Sequence, residues 1–207
     1  MKKVLCFGDS NTFGYNPCGG LRYPKDVRWT GVLQTLLGTD YEVVEAGCNN
    51  RTCFRNNPAG VEFTGFQALP KYLEMEPDIV IIGLGSNDLQ RQYRTGLEEL
   101  EYGLEGLVKL AQEKCPVADV ILLSPSVIGE QVLGSKIFSF LFDRTSIEKS
   151  KLLSEIFIRV AERNACGVID LAPIAPTSEE DGLHYSPDVH RVIAETLRDY
   201  IITNLAR

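Results

Sequence analysis

Short apolar runs alternate along the chain with segments whose apolar positions recur at helical spacing. The runs Val4–Phe7, Tyr41–Glu45, Asp78–Leu84, Val120–Ser124 and Gly167–Asp170 read as strands. Between them, Trp29–Leu37 has helical periodicity and stops at Gly38, a helix-ending residue. A short helix is predicted over Leu69–Met75, where Pro70 is tolerable only in the first turn. Longer ones are predicted over Leu97–Gln112 and, unbroken, over Ile147–Arg163. The last, Asp188–Leu205, follows Ser186 as N-cap and Pro187 at the first helical position.

Strands that alternate with helices imply an α/β fold: a three-layer α/β/α arrangement around a five-stranded, mainly parallel, flavodoxin-like sheet. The unbroken run Ile79-Val80-Ile81-Ile82 fits a strand buried on both faces. With no repeat, linker or low-complexity tract, the 207 residues are expected to form one domain. In such sheets binding groups collect beyond the carboxyl ends of the strands. Here those loops are Gly8-Asp9-Ser10, Ala46 to Asn50, Gly85-Ser86-Asn87-Asp88, Pro125-Ser126 and Ala172 to His184.

Composition narrows the function. An apolar fraction of 44% and a charged fraction of 24% are ordinary for a globular chain, and a net charge of -7 argues against a nucleic-acid partner. No apolar stretch is long enough to span a membrane, and Lys2-Lys3 are followed by too short a run for a signal peptide, so a cytoplasmic location is expected. The six cysteines are scattered, without a C-x-x-C pair, and read as free thiols rather than disulfides or a zinc site.

Only two histidines are present. His190 falls inside the last predicted helix, where a packed or surface role is the plain expectation. His184 lies in the loop before that helix, three residues after Asp181. That spacing in a glycine-containing turn can set a carboxylate against one ring nitrogen, leaving the other to take a proton from a hydroxyl. A serine hydroxyl needs such a base to become a nucleophile. Ser10, ending the first strand, belongs to the same layer. Gly47 after the second strand can offer an unobstructed backbone N–H, and Asn87 after the third an amide, to an oxyanion. Each is an ordinary turn residue alone; together they converge on one sheet edge.

The ordered blocks Gly8-Asp9-Ser10, Gly47, Gly85-Ser86-Asn87-Asp88 and Asp181-Gly182-Leu183-His184 resemble those of the SGNH, or GDSL, hydrolase superfamily. The stretches LCFGDSNTFG, DVRWTGVL, DIVIIGLGSND and DGLHYS are similar to the branch of bacterial arylesterases and acyltransferases. The resemblance implies Ser10 as nucleophile, His184 as general base and acid, and Asp181 as its orienter. It implies an oxyanion hole from the Ser10 and Gly47 N–H groups and the Asn87 side chain, with no metal or organic cofactor. Asp9 and Asp88 are expected to be structural. Phe13 and Asn11 stand where the branch often has Trp and Leu, which assigns Asn11 to substrate preference. Ser135–Phe142, SKIFSFLF, reads by periodicity as a short core helix; the related branch carries an aromatic segment here that walls the acyl site, which would turn Phe138 and Phe142 to the substrate. Arg28 and Trp29 are expected to form a loop-anchoring ion pair and to pack, respectively.

A G-x-S-x-G elbow and a Walker A loop are absent, and GLGSND departs from a dinucleotide fingerprint. The expected activity is a serine esterase cleaving, and transferring, short acyl groups of small esters. Acetylated carbohydrates, thioesters and lysophospholipids are alternatives within the superfamily; a non-catalytic small-ligand module is the rival of another class. Related branch members form oligomers, so a homo-oligomer is expected too.

Overall fold

The computed structural model describes residues 1–205. Five strands, β1 (Lys2–Gly8), β2 (Tyr41–Gly47), β3 (Ile79–Gly83), β4 (Asp119–Ser124) and β5 (Gly167–Asp170), form one parallel sheet in the order β2-β1-β3-β4-β5. Seven helices are found among the described residues: α1 (Ser10–Phe13), α2 (Trp29–Leu37), α3 (Gly65–Leu73), α4 (Leu97–Lys114), α5 (Arg144–Ser150), α6 (Leu153–Arg163) and α7 (Pro187–Asn204).

Period-two alternation divides each strand between two cores. Leu5, Phe7, Val80, Ile82 and Leu122 face one side and pack with residues of α3, α4 and α6. Val4, Cys6, Ile79, Ile81 and Ile121 face the other, against residues of α2 and α7. Both faces are thus covered, which is why β3 lacks polar positions. The register aligns the ends that matter: Gly8 of β1 pairs with Gly47 of β2 and with Gly83 of β3. The strand order turns about β1, so the crevice beyond these three ends is the switch point where α/β sheets bind ligands.

Three helical regions depart from expectation, besides the Ser135–Phe142 segment described with the site. α1 was not expected: Asp9 caps it by accepting the Asn11 N–H at 2.9 Å, and Gly14 closes it at φ 84°. α3 starts four residues before Leu69, so Pro70 falls at its sixth position rather than in its first turn. The start is set upstream, where the Thr64 carbonyl accepts the Gln67 and Ala68 N–H groups, and the helix ends three residues after the proline. The single helix predicted over Ile147–Arg163 is two. The Ser150 hydroxyl donates to the Ile147 carbonyl at 2.7 Å and accepts the Ile128 N–H at 3.0 Å, competing with helical pairing where α5 stops. α7 has the expected cap, with Ser186 accepting the Val189 N–H behind Pro187.

All six cysteines are free. Among the described residues no helix is long and apolar enough to cross a membrane.

Candidate active site

Ser10 is the first residue of α1, so the chain turns sharply at the end of β1 and the side chain emerges above the sheet. Its Oγ lies 2.9 Å from His184 Nε2. The other ring nitrogen, Nδ1, lies 2.6 Å from Asp181 Oδ2. The second carboxylate oxygen of Asp181 accepts the Leu183 and His184 N–H groups, both at 2.9 Å. One carboxylate therefore holds both the ring and the backbone that carries it. The turn requires Gly182, at φ 67°, where a Cβ would stand 2.7 Å from the Gly129 carbonyl. Burial acts to raise the Asp181 carboxyl, but the His184 hydrogen bond and charge, with the two N–H groups, hold it below its ordinary value. It is a carboxylate when it meets the imidazole.

Asn87 lies in the turn after β3. Its Nδ2 donates to the Arg51 carbonyl at 3.0 Å, and its Oδ1 accepts from Gln90 Nε2 at 3.0 Å. Gly47 ends β2 beside Gly8. A Cβ there would meet the Phe13 backbone nitrogen at 2.2 Å. The missing side chain is thus demanded by the close approach of α1 at Thr12 and Phe13.

Asp9 and Asp88 hold loops. Asp88 accepts the Cys53, Phe54 and Arg55 N–H groups at 2.5, 3.2 and 3.2 Å, and Asp9 caps α1. Burial raises both carboxyls to about 6 despite these donors. Arg51, 1% exposed, reaches the same level: its Nη1 donates to the Gly8 and Ala46 carbonyls at 3.0 and 2.6 Å, and its guanidinium lies over the Phe7 ring at 4.3 Å. It ties the ends of β1 and β2 together under the site.

A cleft of about 100 Å³ opens over Ser10 and His184. Asn49, Asn50, Asn87 and Gln90 line one part of it, and Tyr15, Phe138, Leu141, Phe142 and Leu183 another. The Tyr15 and Phe138 rings lie 4.2 and 5.1 Å from the imidazole. The SKIFSFLF segment is not a core helix: it makes a single tight turn over Phe138–Phe140, leaving Phe140 71% exposed. Phe138 is half-buried at the cleft, and Phe142, buried in the core, also lines it.

Asn11 does not line this cleft. Its Nδ2 donates to the Leu183 carbonyl at 3.2 Å, and its side chain borders a separate cavity of about 20 Å³ with Asp9, Trp29 and Tyr185. The helical turn of α1 swings position 11 behind the nucleophile, so Asn11 braces the His184 loop instead of facing a substrate. Trp29 is buried and donates from its indole to the Asn11 carbonyl at 3.1 Å; Arg28 pairs with Glu45 at 2.7 Å. Tyr15, Gln90 and Arg51 escaped the sequence reading, which marked the loop of Asn49 and Asn50 without giving either a role. Asn49 and Asn50 follow a strand end that the sequence does mark; nothing local distinguishes Tyr15 or Arg51.

Residues 6–192 match the model of the GDSL-like Lipase/Acylhydrolase family. The fold is that of SGNH hydrolases. The aryl esterase of M. smegmatis is 28% identical, with 99% of this chain and 100% of that one covered at a TM-score of 0.90. Est24, a carbohydrate acetylesterase from Sinorhizobium meliloti, is 28% identical, with 98% and 99% covered at a TM-score of 0.91. The esterase EstA from Pseudoalteromonas sp., at 20% identity and a TM-score of 0.71 over 100% of both chains, shares the fold. No curated protein matches the chain. The chain belongs to the GDSL-like lipase/acylhydrolase family, within the SGNH superfamily of ester hydrolases.

Proposed function

We propose that the protein is a serine esterase acting on short acyl esters through an acyl-Ser10 intermediate. The observation that carries this reading is the continuous chain from Ser10 Oγ through His184 to Asp181, at 2.9 and 2.6 Å. In acylation His184 Nε2 takes the Ser10 proton as Oγ attacks the ester carbonyl carbon. Asp181 keeps the imidazole in the tautomer with its proton on Nδ1 and stabilises the imidazolium. The oxyanion then meets the Ser10 and Gly47 N–H groups and the Asn87 amide. His184 returns the proton to the departing alcohol, and water repeats the sequence in reverse to release the acid.

The size of the cleft supports a short acyl group: about 100 Å³ is well below the roughly 300 Å³ at which drug-sized pockets begin. Its apolar wall of Phe138, Leu141 and Leu183 supports acyl transfer, since a drier acyl-enzyme lets an added alcohol compete with water. A second reading, deacetylation of carbohydrates, is favoured by the amides of Asn49 and Asn50 beside the aromatic Tyr15, a lining that suits a polyhydroxyl alcohol. A series of p-nitrophenyl esters from acetate to octanoate, run beside acetylated xylan, tests both. Acetate is expected to be the best acyl group; a preference for octanoate contradicts the short-acyl reading. Product partition with an added alcohol tests transfer, and partition at background level removes it.

A further inference from the structure

Asn87 can serve an oxyanion only if its nitrogen, not its oxygen, faces the cleft. We infer that Gln90 is a positioning residue that fixes this orientation. Gln90 is 1% exposed, and its amide nitrogen donates to two side-chain oxygens: Asn87 Oδ1 at 3.0 Å and Asn50 Oδ1 at 2.7 Å. Both of its protons are thereby used. Its own oxygen accepts from Gln92 Nε2 at 3.0 Å. Flipping Gln90 would set an oxygen against the buried Asn87 oxygen and the partly buried Asn50 oxygen, so its direction is settled by its neighbours.

The consequence passes to Asn87. With Oδ1 occupied by the Gln90 donor, Nδ2 turns the other way and gives one proton to the Arg51 carbonyl at 3.0 Å. The second is left for the cleft that Asn87 lines. Gln90 therefore sets a donor without touching the ester, and at the same time holds Asn50 at the cleft rim. Asn50 occupies a left-handed backbone position, φ 63°, with its carbonyl accepting from Asn57 Nδ2 at 2.9 Å.

The inference rests on the esterase reading and is tested with steady-state kinetics on a short p-nitrophenyl ester, with organophosphonate labelling of Ser10 in parallel. Gln90→Glu replaces the two donated protons with an acceptor and rewards a flipped Asn87. Gln90→Met removes the donor without adding an acceptor. Losing one oxyanion donor costs on the order of 10²–10³-fold in kcat. Gln90→Glu is expected to lower kcat by roughly 10–100-fold with KM little changed, and Gln90→Met by less. On an Asn87→Ala background Gln90→Met is expected to change nothing further, because the donor it positions is gone. That cycle separates positioning from packing and stands even if the Glu variant fails to fold. Unchanged kcat in both variants, or the same loss from Gln90→Met with and without Asn87, overturns the inference while wild-type turnover and labelling stand. A wild type that neither turns over esters nor takes the label overturns the esterase reading, and this inference with it.

Discussion

His184 and His190 lie six residues apart, 2% and 0% exposed, yet their surroundings have little in common. His184 stands on a loop between a carboxylate and a serine hydroxyl, with aromatic rings over its face. His190 sits in the first turns of α7, where Nδ1 accepts the Trp29 backbone N–H at 3.3 Å and the edges of Tyr23 and Tyr185 close around the ring. Its Nε2 is buried without a partner. Burial, with a smaller contribution from the His184 charge, lowers the His190 pKa to about 4, so it remains neutral over the working range. Burial is common to both; what differs is the order of partners. Acid–base chemistry needs an acceptor for one ring proton and a donor at the other nitrogen. His190 has instead a backbone donor and an orphaned N–H, which suits a wedge between α2 and α7.

The widest separation between the two should appear in turnover. His184→Ala is expected to lower kcat by on the order of 10⁶-fold. His190→Leu should keep activity within tenfold, a loss that steady-state kinetics on one ester resolves. Asp181→Asn, which leaves the ring but disturbs its tautomer, should cost about 10⁴-fold in kcat. Thermal unfolding should reverse the ranking of the histidines. His190→Leu strands the Trp29 N–H, at about 1–3 kcal/mol, and a domain of this length then loses about 2–4 °C in Tm per kcal/mol. The smallest effect is on pH dependence. The folded pKa of His190 is depressed to about 4, so its contribution is present above the ordinary value of 6.5 and is lost as pH falls through about 4. Asp9 and Asp88, raised by burial to about 6, have the opposite sign: their contribution is full below 3.8 and is lost as pH rises through about 6. Urea unfolding of wild type and His190→Gln between pH 4 and 7 should therefore diverge on the acid side; parallel profiles would remove the neutral-wedge account.

Much of this was readable from residue order. β1 and β3 announced themselves because their stretches Val4–Phe7 and Ile79–Ile82, covered on both faces, have no polar positions to confuse with a helix. Ser10, Gly47, Asn87, Asp181 and His184 were legible because a parallel sheet sends its strand ends to one side, so order in the chain implied proximity. Residues whose position depends on a turn or on packing were not. Asn11 looked like a substrate contact until the unpredicted turn of α1 carried it behind Ser10, and Phe142, which does line the cleft, is at the same time a buried core residue, a double role that spacing alone does not show. Arg51 and Gln90 act through carbonyl and amide oxygens brought from distant segments, which no local spacing encodes.

The central claim, that Ser10 is the residue His184 activates, is tested most directly by titration with an organophosphonate followed by peptide mass spectrometry. One adduct per chain, located on Ser10, absent in Ser10→Ala, slowed in His184→Ala and formed at the normal rate in His190→Leu, is the predicted result. No adduct on wild type, or an adduct on another residue that survives Ser10→Ala, would contradict it.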